Sequence, residues 1–218
     1  MKNLTYIQIR EKYLDFMKSH GHTEIPNAPL VPENDPTLLF ISAGMATIVP
    51  YLLGEKHPSG TRLTNVQRCV RTIDIEEVGN EHHCTAFEML GNWSLNDYLK
   101  KEAIELSVEF FTKILELDIN NIYASVFKGN QNAQKDTESI KVWKKIFKDN
   151  GINAKVGEGE RIQLYDKDCW WELGDGGPCG PCSEIFYDTG KPKCGDQCHI
   201  NCNCGKYVEL GNNVLMEY

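Results

Sequence analysis

Apolar residues recur along this chain with two different periods, and each period names an element. Ile9, Tyr13, Phe16 and Met17 form one stripe of a helix that Thr5 is placed to cap and Gly21 to end. Ile104, Val108, Phe111 and Leu115 mark a second amphipathic helix, and Ile140, Trp143 and Phe147 a third, capped by Thr137 or Ser139. Lys141, Lys144, Lys145 and Lys148 are spread around the outer side of the third helix and read as a solvated face, because the neighbouring sequence is not basic. Between these helices the period drops to two. Residues 67–98 predict two strands around an acidic turn, with Gln67, Cys69 and Arg71 on one face of the first strand and Phe87, Met89, Gly91 and Trp93 on one face of the second. Ile122 to Phe127 is rich in strand formers, and the two prolines of LVPENDPTLLF predict a loop feeding a buried strand over Leu38 to Ile41. Helix and strand segments are mixed, with no internal repeat and no low-complexity linker.

Composition narrows the class. A chain of 218 residues, 41% hydrophobic, suffices for one sizeable core or a core with a small appendage. No apolar run nears the ~18 residues of a membrane span, and charges interrupt the N-terminal apolar residues. Neither a span nor a signal peptide is expected, which makes the cytoplasm the default location. Nine cysteines without a secretory signal fit reduced thiols or metal better than a disulfide framework. A formal net charge of -8 gives no general attraction to nucleic acid, so any RNA contact must be local or come from other domains.

Two stretches carry chemistry. At the end of the first strand Arg71 offers a rigid fork of donors suited to a phosphate, and Phe87 across from it offers a flat apolar face for a purine. A half-buried hairpin with core aromatics and a solvated arginine is the plain alternative. The second stretch is 189–206, TGKPKCGDQCHINCNCGK, which holds almost no core-forming residue and reads as a loop excursion. Cys194, Cys198, Cys202 and Cys204 supply enough thiolate there for a tetrahedral Zn2+ site with ligands at ~2.3 Å, and bound metal would supply the folding free energy that burial cannot. Free thiols, or a ligand set borrowing His199, Cys179 or Cys182, are the alternatives. The CxxC at 179–182 suggests a redox pair only weakly, since no helix start follows to lower a thiol pKa.

CVRTIDIEEVG followed by FEMLGNWSLNDYLK resembles motif 2 of class II aminoacyl-tRNA synthetases, and in particular their alanyl branch. PLVPENDPTLLFISAGM (29–45) resembles the motif 1 region of that branch, WWELGDGGPCGPCSEIFYD (170–188) its alanine-pocket loop, and YVELGNNVLMEY (207–218) the strand that precedes motif 3. The resemblance implies an α+β fold, with a mostly antiparallel sheet flanked by helices over residues 1–218 and the cysteine-rich loop 189–206 inserted in it. It implies that Arg71 contacts the α-phosphate of ATP and acts in catalysis, and that His83 and Phe87, in HxxxF spacing, serve the γ-phosphate and adenine. Where the family has two histidines before the threonine, this chain has His82, His83 and then Cys84. ATP binding would extend to Trp171, Leu210, Gly211 and Asn212, and alanine binding would fall to Trp171, Asn212 and Val214. Trp171 aligns with the pocket tryptophan, with Trp170 the alternative one residue earlier, and Gly211 stands where the family has a tryptophan before Asn212. Glu209 is a candidate Mg2+ ligand. The activity implied is formation of alanyl-adenylate from ATP and L-alanine, then transfer to tRNA(Ala). Motif 3, with its arginine and its aspartate for the alanine ammonium, does not occur before Tyr218, so the chain alone is expected to charge tRNA poorly. Two other readings stay open: a paralogue that makes an adenylate for a non-tRNA acceptor, and a non-catalytic nucleotide-binding module.

Overall fold

The computed structural model describes residues 3–32, 39–72, 75–79, 83–131, 133–172 and 177–216. The chain divides into two compact units, Lys2–Tyr98 and Leu99–Tyr218, each with its own sheet.

In the first unit, α1 (Tyr6–Ser19) starts in a capping box: the Thr5 hydroxyl accepts from the Gln8 amide at 3.3 Å, and the Gln8 side chain accepts from the Thr5 amide at 2.9 Å. Its stripe buries Tyr13, Phe16 and Met17, and Gly21 at φ +82° turns the chain out of the helix. A short strand β1 (Thr23–Glu24) runs parallel to β2 (Arg62–Val70), which pairs antiparallel with β3 (Ala86–Ser94) in unbroken register from Arg62↔Ser94 to Val70↔Ala86. Trp93 lies across two glycines: a Cβ on Gly91 or Gly44 would come within 2.4 or 2.8 Å of its ring. Between the strands sits the one-turn helix α2 (Val49–Leu52). Among the described residues of the expected strand over Leu38 to Ile41, none is in a strand. Leu38 lies outside the described residues, Leu39 and Phe40 are exposed, and only Ile41 is buried. Ile41 bonds to Leu30 through its N–H and to Val70 through its carbonyl, two bonds to two different segments that cannot propagate a ladder.

In the second unit, α3 (Lys100–Glu109) continues through a π-helical turn, Phe110–Ile114, closed by Leu115 N–H donating to the Phe110 carbonyl at 3.0 Å. Then come β4 (Ile122–Phe127), α3's packing partner α4 (Thr137–Asp149), β5 (Ile162–Tyr165), β6 (Trp170–Glu172), β7 (Cys179–Asp188) and β8 (Tyr207–Val214). The cap of α4 is Asp136 rather than Thr137 or Ser139; its carboxylate accepts from the Ser139 amide at 3.0 Å and from the Ser139 hydroxyl at 2.7 Å. All four lysines of α4 are exposed, as a solvated face requires. Strand β7 is the hub. It pairs β6 along Cys179–Pro181, β4 along Ile185–Tyr187 and β8 along Cys182–Asp188, all antiparallel, while β5 joins β4 in parallel.

Alternation sorts this sheet into two faces. Ile104, Val108, Trp143 and Phe147 of the helices bury Ile122, Ala124, Val126, Ile162 and Ile185 on one of them. Polar ties fix the same layer: the Trp143 indole donates to the Ser183 hydroxyl at 2.8 Å, and the Ser107 hydroxyl donates to the Asn213 amide oxygen at 2.7 Å. The other face carries Tyr123, Ser125, Gln163, Tyr165, Cys182, Glu184 and Phe186. The cysteine-rich loop covers one end of it. Ile200, fully buried, packs with Cys198, Phe186 and Tyr207, so the loop holds one true core residue that its composition hid. Among the described residues no helix is long and apolar enough to cross a membrane.

Candidate active site

In the first unit, cross-strand pairing brings Cys69 opposite Phe87, Gln67 opposite Met89 and Asn65 opposite Gly91, so the expected shared face is formed. Arg71 stands one residue past β2. Its amide donates to the Thr85 carbonyl at 2.9 Å, its Nε to the Ser42 carbonyl at 3.1 Å, and its guanidinium carbon lies 5.2 Å from the Phe87 ring centroid. Backbone and side chain are thus both held, which fixes a guanidinium and an aromatic face at one strand end. Gln67 on the same face is committed elsewhere, accepting from the Ala28 amide at 2.9 Å and donating to its carbonyl at 3.1 Å. His83 is half-buried just before β3, and Cys84 beside it is exposed. His82 lies outside the described residues.

The second unit assembles a second group. Trp171 pairs with Gly180, Asn212 with Glu184 and Val214 with Cys182, so alternation along β7 puts Trp171, Asn212, Val214 and Glu184 on the face away from the helices. The Trp171 indole donates to the Leu215 carbonyl at 2.7 Å, and the Leu215 amide donates to the Pro181 carbonyl at 3.1 Å, which ties β6 to the end of β8. The neighbouring Trp170 packs its ring 5.2 Å from that of Phe127. Asn212 and Val214 are exposed, whereas Asn213 between them is buried and bonded.

Leu210 and Gly211 do not join this face. Leu210 packs against the helix-side core, and a Cβ on Gly211 would meet the Phe111 ring at 3.5 Å. A β-bulge between Ile185 and Phe186 is the reason, since it absorbs the extra residue and turns both toward α3.

Glu184 went unnoticed in the sequence. It is 8% exposed, its carboxylate accepts from the Ser125 hydroxyl at 2.8 Å, and its amide donates to the same oxygen at 3.2 Å. Burial, then the charge of Glu209, push its carboxyl up to about 8. The Cys169 thiol also donates to Ser125, at 3.1 Å, and its hydrogen bond with Cys182 and its burial push it far above the ordinary thiol range. A thiol so placed is inert, and Cys179 to Cys182 is strand rather than a redox turn.

The four loop cysteines come together, with all four sulfurs within 4.8 Å of one another. Cys194 and Cys202 are 3.4 Å apart and Cys198 and Cys204 3.7 Å, against the ~3.8 Å between sulfurs of a tetrahedral site with ~2.3 Å bonds. The Lys206 amide, more than any other group, lowers the Cys204 thiol to about 7. The set therefore fits a four-coordinate metal. His199, Cys179 and Cys182 stand outside this cluster.

A family model described as tRNA synthetases class II (A) matches residues 8–218. The chain belongs to this family. Among curated relatives it is 54% identical to the alanine–tRNA ligase of Treponema denticola, over 100% of this chain and 35% of that protein. It is 51% identical to that of Borreliella burgdorferi and 50% identical to that of Borreliella afzelii, in each case over 99% of this chain and 35% of the relative. This class II synthetase chain thus spans about a third of the length of these relatives. Gly211 faces Phe111, on the side of the sheet opposite Asn212. Of the residues a sequence reading overlooks, Glu184 is signalled only by being an acid inside the apolar run CSEIFYD, and Ser125 and Tyr165 by nothing.

Proposed function

We propose that this chain forms part of the catalytic domain of a cytoplasmic alanine–tRNA ligase, which joins L-alanine to ATP as alanyl-adenylate and passes the alanyl group to tRNA(Ala). The observation that carries this reading is the common face of Trp171, Asn212 and Val214, residues distant in sequence that the resemblance assigns to one small substrate. Identity to alanine–tRNA ligases along the whole chain supports it. Cysteines arranged to hold a metal rather than to form a disulfide framework support the compartment.

In the first half-reaction a carboxylate oxygen of alanine attacks the α-phosphorus in line. The bond to the bridging oxygen breaks, and pyrophosphate leaves with that electron pair. No proton moves, so positioning and electrostatics carry the step. Arg71 meets the charge on the α-phosphoryl oxygens, Phe87 stacks on adenine, and His83 serves the γ-phosphate. Trp171 and Val214 wall the alanine side chain, the Asn212 amide holds its polar end, and Leu210 and Gly211 contribute backbone alone. Mg2+ neutralises phosphate charge when bound, and Glu209, an exposed carboxylate on the Asn212 face, suits it as a ligand. In the second half-reaction the terminal ribose hydroxyl of tRNA attacks the activated carbonyl and gives up its proton to solvent, while the carbonyl–phosphate oxygen bond breaks and AMP leaves with that electron pair. With a net charge of -8, RNA recognition falls to local contacts or other domains. Cys194, Cys198, Cys202 and Cys204 hold Zn2+ in this reading.

Amino-acid-dependent ATP–pyrophosphate exchange by the full-length protein is the test. Alanine should give the highest kcat/KM, and Trp171→Ala should raise the KM for alanine. Exchange driven by another amino acid and not by alanine would overturn the assignment.

A further inference from the structure

Tyr165 stands where two packed clusters meet on the sheet face away from the helices. In one, Cys198, Ile200, Phe186 and Tyr207 pack with Tyr165 and Cys204. In the other, Phe127, Cys169 and Cys182 pack with Tyr165, Trp170 and Trp171. Tyr165 thus touches the surroundings of two metal-ligand cysteines and the surroundings of Trp171. Its hydroxyl donates to the Gln163 amide oxygen at 2.8 Å and lies 3.5 Å from His199 Nδ1, which keeps the ring from rotating away. An outer tie runs in parallel, from the Asn201 side chain to the Asp168 carboxylate at 3.2 Å, in the turn that leads into β6.

We infer that Tyr165 couples the four-cysteine loop to the Trp171 segment, so that metal at the cysteines fixes the position of Trp171. This rests on the zinc and alanine assignments above and adds a positioning residue to them. The loop has one large buried apolar anchor, Ile200, so its order depends on the ligands; an ordered loop presses Cys198 and Ile200 against Tyr165, and Tyr165 in turn supports β6. Chains of packed side chains carry coupling of this kind only if both ends respond, and that is measurable.

Hydrogen exchange at the amides of residues 167–172 reads the far end, in the full-length protein with zinc and after chelation. Chelation should speed exchange there by about tenfold, the scale set by loss of one modest packing contact. Tyr165→Ala should show the faster exchange with zinc still bound, respond little to chelation, and raise the KM for alanine while leaving that for ATP. Tyr165→Phe, which keeps the ring packing and loses the hydroxyl ties, should fall between the native protein and Tyr165→Ala. Ile200→Val, which trims one methyl from the loop side and retains the fold, should give a smaller change in the same amides. Residues 167–172 that are indifferent to zinc removal, a full chelation response in Tyr165→Ala, or a protein holding no zinc at these cysteines would each overturn the coupling. Faster exchange without any change in the alanine KM would uphold the coupling and remove Trp171 from the alanine site.

Discussion

Strands β2 and β3 and strands β7 and β8 are both long antiparallel pairs carrying residues assigned to substrate, yet they deliver those residues differently. The β2–β3 pair keeps strict register over its whole length, so a period of two predicts that Cys69 and Phe87 share a face. The β7–β8 pair is broken by a bulge. Glu209 pairs with Phe186 and Asn212 with Glu184, so an odd and an even position reach the same face, which strict alternation forbids. A regular ladder can be read from a sequence, whereas a bulge, which re-aims side chains, must be seen.

The connections differ as well. The loop joining β7 to β8 carries the cysteine cluster, and its loss should separate the two pairs most sharply. A Cys198→Ser, Cys202→Ser variant should lose its zinc, by elemental analysis, and with it hydrogen-exchange protection in 194–208. Protection of β2 and β3 should stay as it was. Structural zinc contributes roughly 10 kcal/mol or more of binding free energy in small sites, which makes this the largest expected effect. Full zinc content in the variant would place the ligands elsewhere.

The next effect belongs to the buried acid that only the second pair holds. An ordinary glutamate titrates near 4.5, and Glu184 is raised to about 8. Between those values the folded protein keeps a proton that the unfolded chain has released. The contribution of Glu184 to stability is therefore full below about 4.5 and is lost as pH rises through about 8, with a slope of up to about 1.4 kcal/mol per pH unit. Urea unfolding of native protein and Glu184→Gln should show this slope in the first and a flatter curve in the second. Parallel curves would mean that Glu184 is ionised in the fold.

Gly211 offers a smaller and two-sided test of the bulge. If it faces α3, Gly211→Trp must displace Phe111 and should cost roughly 1–3 kcal/mol, while Gly211→Ala meets only ordinary contact and should stay within about 1 kcal/mol of native. Tolerance of tryptophan with a changed KM for alanine would put Gly211 on the substrate face instead.

Much of the rest was legible for stated reasons. The α1 cap, the stripes of α1 and α4, the β2–β3 pairing and the four-cysteine cluster follow from periods, capping chemistry and ligand spacing. Strand β7 was hidden because Gly180 and Pro181 are residues that argue against a strand, and β5 and β6 because they are four and three residues long. The Leu38 to Ile41 run misled because apolar composition does not say which residues a fold turns inward. Ile200 and Tyr165 matter through contacts made across the sheet, which no local pattern encodes.

Binding of ATP with Mg2+ at the Arg71–Phe87 end of the β2–β3 pair is the central claim, and calorimetric titration of native protein and Arg71→Ala tests it most directly. Loss of one charge-assisted phosphate contact costs ~1.5–3 kcal/mol, so the variant should bind about ten- to a hundredfold more weakly while remaining folded. An unchanged Kd in a folded Arg71→Ala protein would contradict the assignment.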